Sequence, residues 1–394
     1  MQKMASILLL LLFISGCQAI VTPSTMTSIA LPEPTGVYGV GVTSFPLVDR
    51  SRTETIGDNA ISRHRELMVQ LWYPIAPATI GEPNEYLDEL SARLVVESSA
   101  EFIPKKAHRL SPDFRFLIKT HALRDVRLAQ NVSGFPVLVF SPGYGATYLF
   151  YQSLFEDLAS HGYIITAINH PYLSGITVFP DQHFYLRAQP KDEDQFLDDH
   201  FRTVVMDIKF VVKQLAALNQ DRTQLFFDRL DLSRIGCFGH SYGGAAAVQA
   251  GVEDPEIKAA IDIDGTMHGK DFHRPITKPI GIINDDLTAM IDYTVKKLWR
   301  NTHEGYLVRI NKARHLDFSD LGIIIKHCYP KLPMSVRAFY FGEIEPELAL
   351  QLTRKAVLNF FEIYLSGRSS AELLDLPRRY PGQIKIKKKT GADR

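Results

Sequence analysis

The sequence lacks the patterns that would indicate a metal, nucleotide or nucleic-acid protein. Its three cysteines are too few for a disulfide framework. It contains no H-E-x-x-H motif, no cysteine pair and no P-loop, so metal and nucleotide chemistry have no support. The 44 basic and 44 acidic residues give a formal net charge of zero, so no bulk field favours nucleic acid. We therefore expect no metal, no cofactor and no nucleic-acid partner.

The apolar run near the start of the chain is too short to span a bilayer. Residues 5–13 follow Lys3 and are typical of a secretory signal. The run ends in Ile14-Ser15-Gly16-Cys17, which resembles the bacterial lipobox. The resemblance implies removal of residues 1–16 and lipidation of Cys17, and several acyl chains on one residue would anchor the protein stably. The alternative is an ordinary signal peptide followed by a stray cysteine.

The residues after Cys17 predict where the anchored protein lies. Gln18 stands where an aspartate would resemble an inner-membrane retention signal, which favours the bacterial outer membrane, facing the periplasm or the surface. Residues 17–35 are polar and contain prolines, so we expect a lipidated tether. Residues 371–394 include a short basic run, and we expect a disordered tail that can contact anionic headgroups.

Between tether and tail, residues 36–370 predict one α/β domain. Apolar runs typical of buried strands are separated by segments with helical spacing, and this alternation predicts a doubly wound, mostly parallel sheet. Residues 76–130 lack strong strand signals, and we interpret them as an insertion or a long connection. The strand-like runs are residues 135–140, 163–168, 259–263, 280–283 and 307–310, and the helical segments include 151–161, 204–218 and 347–365.

One serine lies in a pattern that makes it a candidate nucleophile. Gly239-His240-Ser241-Tyr242-Gly243 matches the G-x-S-x-G nucleophile elbow of α/β-hydrolases, between a strand-like and a helix-like segment. The turn must be sharp to expose the hydroxyl of Ser241, and a Cβ at either flanking glycine would collide with neighbouring backbone. The sequence therefore predicts an α/β-hydrolase fold with helical insertions.

A serine hydroxyl needs a base to take its proton, so a histidine and an orienting carboxylate are expected downstream. In this fold class the chain order is Ser, then Asp or Glu, then His. His315 lies in a short loop just after the last predicted strand, where a sheet presents catalytic groups. Asp264 and Asp286 each follow an earlier strand, and the residues alone favour neither as the acid. Asp262 lies two positions further back and would be set deeper in the sheet.

An ester hydrolase also needs two backbone N–H groups that bind the developing oxyanion. Tyr242, directly after the nucleophile, is expected to supply one. The other is expected from the Gly143-Tyr144-Gly145 loop, with Tyr144 as the donor. The side chains of both tyrosines would then line the acyl pocket.

With these residues placed, the chain resembles the plasma-type platelet-activating factor acetylhydrolase family, the calcium-independent lipoprotein-associated phospholipases. The resemblance covers residues 36–366. The family typically has a histidine where Pro142 stands, so the oxyanion loop departs from its pattern. The matching segments are Tyr38-Gly39-Val40-Gly41, Leu71-Trp72-Tyr73-Pro74, residues 135–145, 157–163 and 235–244, and Asp264-Gly265.

The resemblance implies hydrolysis of short or oxidised acyl chains at the second position of phosphoglycerides. In that family the acid follows the strand after the elbow helix, which favours Asp264. Bacterial polyester hydrolases and cutinases are similar in Ser141-Pro142-Gly143-Tyr144 and Ala159-Ser160-His161-Gly162. They take the acid from the later strand, which keeps Asp286 open.

We therefore expect a lipid-anchored serine esterase with Ser241, His315 and Asp264 as its triad, acting on a lipid or a small ester. A general carboxylesterase or a polyester hydrolase is the alternative within the same chemistry. A noncatalytic envelope lipoprotein that kept the fold for partner binding is the alternative of another class, because fold alone does not guarantee function.

Overall fold

The computed structural model describes residues 28–57, 63–99, 110–130, 134–268, 272, 274–330, 338 and 340–391. The predicted signal peptide, residues 1–16, and the predicted lipidation site, Cys17, lie outside the described residues. Within those ranges, no helix has both the length and the apolar character needed to cross a membrane.

Strands and helices alternate over most of the described chain. The strands are β1 (Ile29–Ala30), β2 (Gly39–Thr53), β3 (His64–Ile75), β4 (Pro83–Glu85), β5 (Ile118–Arg124), β6 (Phe135–Ser141), β7 (Ile164–Asn169), β8 (Ile176–Val178), β9 (Phe184–Leu186), β10 (Leu230–His240), β11 (Ile257–Ile263), β12 (Ile280–Asn284), β13 (Gly305–Ile310) and β14 (Ile384–Lys389). The helices are α1 (Glu89–Ser99), α2 (Gln152–Ser160), α3 (Glu193–Gln220), α4 (Tyr242–Glu253), α5 (Asp286–Ile291), α6 (Tyr293–Asn301), α7 (Leu321–Cys328), α8 (Pro346–Ser366) and α9 (Ala371–Arg379).

Most strands join one sheet in the order β1-β5-β2-β3-β7-β6-β10-β11-β12-β13-β14. The six strands β7, β6, β10, β11, β12 and β13 run parallel to one another. β3 runs antiparallel to β2 and β7, and β14 runs antiparallel to β13. The fold is therefore the doubly wound, mostly parallel α/β-hydrolase sheet that the sequence predicts.

Helices cover both faces of this sheet, which is why the central strands are apolar without alternation. Every residue of β6 and β7 is buried. Val137 and Val139 face α3 and α4, packing with residues such as Val204 and Ala246. Leu138 and Phe140 face the opposite layer, which α2 and α8 form. Because successive side chains point to opposite faces, a two-sided core requires continuous apolar runs.

The structure differs from the predicted boundaries at both ends of the domain. The last part of the predicted tether lies in the fold, because Ile29 is buried and β1 pairs with β5. The segment 76–130 supplies β5, which lies between β1 and β2 in the sheet. The predicted disordered tail forms α9 and β14. Ile384 and Ile386 alternate with lysines, and this alternation lets β14 bury one face against the core while it pairs with β13.

A buried ion-pair network joins β3 to α3. Arg65 is 1% exposed and donates to Glu54 Oε2 at 2.6 Å and to Asp207 Oδ2 at 2.7 Å. Burial by itself would raise the pKa of Asp207, but the charge of Arg65 outweighs it and holds that pKa well below its usual range. The Asp207 carboxylate also accepts a hydrogen bond from His170, in the loop after β7, at 2.8 Å.

Removing Arg65, the fully buried cation of this network, should be costly. We expect Arg65→Met to lower the free energy of unfolding by about 3–5 kcal/mol, because it leaves buried carboxylates without their main counter-charge. Urea unfolding followed by circular dichroism measures this. Arg378→Met removes an exposed ion pair to Asp375 and should leave the midpoint almost unchanged. Equal shifts in the two variants would contradict the proposed weight of the buried network.

Candidate active site

Ser241 lies between β10 and α4 in a backbone conformation that residues with side chains rarely adopt. Its φ is 57° and its ψ is −129°. Its N–H donates to Ile263 O at 2.7 Å, which ties the turn to the end of β11. A strained turn of this kind raises the side chain above the carboxyl edge of the strands, as the elbow motif predicts.

Neighbouring backbone leaves no room for side chains at the two glycines of the motif. A Cβ at Gly239 would lie 2.4 Å from Gly243 O. A Cβ at Gly243 would lie 2.3 Å from Ser141 O, at the end of β6. Both distances are far inside van der Waals contact, so the elbow can approach β6 only when these positions are glycine.

His315 and Asp264 form a hydrogen-bonded pair beside this turn. Asp264 follows β11, and His315 begins a short 3₁₀ helix, His315–Phe318, after β13. His315 Nδ1–H donates to Asp264 Oδ2 at 2.7 Å. The carboxylate is buried, whereas the His315 side chain is 41% exposed. This is the arrangement in which a buried acid orients a base that must reach a substrate.

The alternative acid, Asp286, makes a hydrogen bond to a different residue. Its Oδ2 accepts a hydrogen bond from Lys312 N at 2.8 Å. The neighbouring residue Asp285 contacts Asp264 instead: its backbone N–H donates to Asp264 Oδ1 at 3.2 Å. The structure thus pairs His315 with Asp264 and not with Asp286. Asp262 is fully buried below them, as its position in the strand predicts.

The pKa shifts of this pair agree with its geometry. Burial lowers the pKa of His315, but the hydrogen bond and the charge of Asp264 outweigh burial, and the pKa is raised. Burial by itself would raise the pKa of Asp264, and the bond to His315 lowers it instead. Asp264 is therefore ionised and can stabilise the imidazolium that forms when His315 takes a proton.

His240, the residue before Ser241, holds the loop of His315 in place. Its Nδ1 accepts a hydrogen bond from the Tyr151 hydroxyl at 2.8 Å, and its Nε2–H donates to His315 O at 2.8 Å. Burial lowers the pKa of His240 to about 3, which keeps the ring neutral with one donor and one acceptor. Sequence reasoning missed this residue, because the elbow motif leaves its position open and Tyr151 is distant along the chain.

The predicted oxyanion loop lies against Ser241. A Cβ at Gly143 would lie 3.0 Å from Ser241 Cβ. Gly145 N–H donates to Leu173 O at 2.8 Å, which fixes the far side of the loop. Among the described residues, no hydrogen bond uses the N–H of Tyr144. The N–H of Tyr242 lies in the first turn of α4, where backbone donors have no partner within the helix. Both predicted donors therefore belong to segments that contact the serine.

A second Ser–His–Asp set lies inside the fold, and no local sequence pattern indicates it. Ser141, the last residue of β6, donates its hydroxyl to His170 Nε2 at 3.0 Å, and His170 Nδ1–H donates to Asp207 Oδ2 at 2.8 Å. Burial lowers the pKa of His170, which keeps the ring in the neutral form that these bonds require. All three side chains are buried, so this set ties the start of the oxyanion loop to the ion-pair network.

Aromatic rings and the first turns of α3 form a wall beside the site. The rings of Tyr144 and Tyr242 lie 6.5 Å apart between centroids. The Tyr144 hydroxyl donates to Ala188 O at 2.8 Å, and the Tyr242 hydroxyl donates to Leu197 O at 2.6 Å. Phe201 of α3 packs on Tyr242 with 5.6 Å between ring centroids. Hydrogen bonds to backbone carbonyls therefore hold both rings beside Ser241.

These groups together suit acyl transfer. They are the hydroxyl of Ser241 on its strained turn, the histidine–carboxylate pair beside it, and two backbone N–H groups in segments that contact the serine. Such a set activates a serine for attack on a carbonyl carbon. In the part of the chain that the structure describes, no group of three or more His, Cys, Asp or Glu side chains could hold a metal ion.

Comparison with known proteins identifies the family. A family model described as platelet-activating factor acetylhydrolase, isoform II, matches residues 25–196 and 204–372. The chain belongs to this acetylhydrolase family. All the candidate site residues, from Tyr144 to His315, fall within the matched ranges. The resemblance seen in the sequence is therefore confirmed.

Similar proteins support an esterase family. Platelet-activating factor acetylhydrolase of Bos taurus is 27% identical, with 90% of this chain and 81% of that protein covered. The probable 1-alkyl-2-acetylglycerophosphocholine esterase of Arthroderma benhamiae is 24% identical, with 92% and 95% covered. The solved ferulic acid esterase of Streptomyces cinnamoneus aligns with a TM-score of 0.76 and 26% identity, covering 91% of this chain and 99% of that one.

Two matched substitutions distinguish the candidate acids in this acetylhydrolase-family member. Asp264→Asn should lower kcat by about 10⁴-fold, because the imidazole loses its orienting carboxylate. Asp286→Asn removes only an acceptor for Lys312 N–H and should change kcat little. Steady-state hydrolysis of p-nitrophenyl acetate measures both. A larger loss in Asp286→Asn would contradict the assignment.

The pH profile gives a second readout for the same pair. His315 must be neutral to accept a proton, so kcat/KM should fall as the pH drops through the pKa of His315. Asp264 raises this pKa. In Asp264→Asn the acid limb of the residual activity should therefore move to lower pH, and an unmoved limb would show that Asp264 does not act on His315.

Proposed function

We propose that this protein is a serine esterase that hydrolyses carboxylic esters through Ser241, His315 and Asp264. The observation that carries the proposal is the 2.7 Å bond between His315 and a buried Asp264, at the strand edge where the strained turn presents Ser241.

The reaction follows from the placement of these groups. Ser241 Oγ attacks the carbonyl carbon while His315 Nε2 takes the hydroxyl proton, and the N–H groups of Tyr144 and Tyr242 bind the resulting oxyanion. When the oxyanion collapses, the bond to the leaving alcohol breaks and His315 returns the proton to that alcohol. A water molecule, deprotonated by the same ring, then attacks the acyl-serine. The second oxyanion collapses, the bond between the acyl carbon and Ser241 Oγ breaks, and His315 returns the proton to Ser241 Oγ as the acid leaves.

Short or oxidised acyl chains at the second position of phosphoglycerides are the proposed substrates. The acetylhydrolases among the similar proteins support this class by name. The wall of Tyr144 and Tyr242 also supports it, because hydrogen bonds of both hydroxyls hold the rings beside Ser241, where they restrict the space for an acyl chain.

A general carboxylesterase is the second candidate. The likeness to a ferulic acid esterase over 91% of this chain favours it. The aromatic wall would equally accept a flat aromatic acyl group, since aromatic rings pack well on one another. An ester panel separates the two candidates, with acetylated phospholipid, feruloyl ester and insoluble polyester as its diagnostic members.

We also propose that Cys17 carries a lipid anchor in the bacterial envelope. The string Ile14-Ser15-Gly16-Cys17 after an apolar run supports this. Cys17→Ser should abolish incorporation of labelled palmitate into the protein, and a protein that is still labelled after this change would contradict the anchor.

Removal of the nucleophile tests the esterase proposal. Ser241→Ala should lose several orders of magnitude in kcat towards p-nitrophenyl acetate, because it removes the hydroxyl that takes the acyl group. Ser233→Ala, an exposed serine in β10, is the matched control and should keep full activity. Retained hydrolysis in Ser241→Ala would refute the mechanism. No hydrolysis of any ester by the unmodified protein would favour a noncatalytic lipoprotein.

A further inference from the structure

Four large apolar side chains are exposed within a short stretch beside the candidate active site. Leu287, Met290, Ile291 and Tyr293 are 41%, 64%, 42% and 63% exposed. We call them the α5 surface. No residue of α5 is buried, so this helix contributes nothing to the core. A soluble domain that exposes apolar side chains so close together usually has a partner for them.

Hydrogen bonds fix the α5 surface next to the catalytic acid. Asp285, the residue before α5, donates its N–H to Asp264. Asp292, after α5, accepts a hydrogen bond from Thr266 Oγ1 at 2.7 Å, two residues beyond Asp264. The surface therefore stands at the carboxyl edge of the sheet, on the same side as Ser241.

Basic side chains flank this surface. Lys296 and Arg300 are exposed on α6, which follows α5 directly. Lys385 and Lys387 are exposed on one face of β14, and Lys389 on that same face donates to Trp299 O and Arg300 O of α6. The β14 lysines and α6 therefore form one basic area. Lys385 pairs with Arg309 near the carboxyl end of β13, close to the site edge.

The carboxylates nearby accept hydrogen bonds from backbone N–H groups. Asp286 accepts from Lys312 N at 2.8 Å, and Asp292 accepts from Thr294 N at 2.7 Å. The exposed ammonium and guanidinium groups point instead to an anionic partner. Apolar side chains next to lysines and arginines are the combination that inserts into an anionic lipid interface.

The chain between Cys17 and the fold permits this contact. β1 lies at the opposite edge of the sheet from β14. Eleven residues from Cys17 to Ser28 can extend to at most about 38 Å. An anchor at Cys17 therefore holds the β1 edge of the sheet near the bilayer. It does not determine whether the β14 edge also contacts the membrane.

We propose that the α5 surface, with the lysines of α6 and β14, docks on an anionic phospholipid bilayer and turns the mouth of the active site towards it. The proposal rests on the membrane location proposed above and on the lipid substrate class, but not on the chemistry of Ser241. It assigns a role to the basic C-terminal strand, which the esterase mechanism does not use.

A local fluorescence reporter tests this docking in the full chain. The lipidated protein carries Ser241→Ala so that no lipid is hydrolysed, and it is placed in vesicles of phosphatidylcholine and phosphatidylglycerol that contain brominated phosphatidylcholine. Tryptophan is introduced by Met290→Trp or, as the matched control, by Phe116→Trp, and the emission of the parent protein, which contains Trp72 and Trp299, is subtracted from both. Phe116 is 60% exposed and precedes β5, at the other end of the sheet.

We expect quenching of the Met290→Trp fluorescence to exceed that of Phe116→Trp by about threefold or more, with a blue shift only for Met290→Trp. Equal quenching would overturn the proposal, because it would show that the anchor alone sets the contact. A blue shift of Met290→Trp that depends on protein concentration without vesicles would also overturn it, since a second copy of the chain would then cover the surface.

A charge-matched pair tests the anionic part. Lys385→Gln with Lys387→Gln should reduce the Met290→Trp quenching on vesicles with phosphatidylglycerol and leave it unchanged on phosphatidylcholine alone. Lys119→Gln with Lys258→Gln, two exposed lysines outside the basic area, should have no effect. No reduction in the β14 variant would overturn the role of charge. Because hydrolysis plays no part in these measurements, failure of the esterase proposal would not affect them.

Discussion

The close approach of the turn at Ser241 to the end of β6 is the constraint on which the candidate site depends. Gly239 and Gly243 allow the elbow to touch the backbone of Ser141, and a Cβ at Gly243 would lie 2.3 Å from Ser141 O. This contact places Ser241 beside the Gly143–Gly145 loop. The position of Ser241 therefore depends on what fixes the start of that loop at Ser141. The buried bonds from Ser141 through His170 to Asp207 and Arg65 supply that hold.

Three histidines at this edge of the sheet have two different roles: His170 and His240 are buried and neutral, and His315 is partly exposed. His170 and His240 are buried, and burial lowers the pKa of each, so both act as fixed donors and acceptors. His315 is half-exposed and pairs with an ionised Asp264, which raises its pKa. The same type of side chain therefore serves as scaffold or, in the proposed mechanism, as base according to its burial and its acidic partner. In the membrane proposal, α5 and β14 at this edge of the sheet contact the lipid bilayer.

Local patterns in the sequence predicted the fold and most of the site, because elbow glycines, buried strands and strand-end loops leave short-range signals. The choice between Asp264 and Asp286 could not be made that way, since both follow strand ends. It depends on Asp264 having a φ of 52°, with its carboxylate towards His315, and on the N–H of Asp285. The contacts of Tyr151 with His240 and of Ser141 with His170 join distant segments and leave no local pattern. The tail was wrongly predicted as disordered because its lysines masked the alternating isoleucines that pair β14 with β13.

The described residues contain two Ser–His–Asp sets, and we infer that only the set with the partly exposed His315 reacts. Ser141 has the bonded geometry of an activated serine but is fully buried, whereas Ser241 stands on the strained turn. Labelling the folded protein with a fluorophosphonate, followed by peptide mass spectrometry, tests this most directly. We expect one modification, on Ser241, that disappears in His315→Ala. Labelling of Ser141, or no labelling of Ser241 in the unmodified protein, would contradict it.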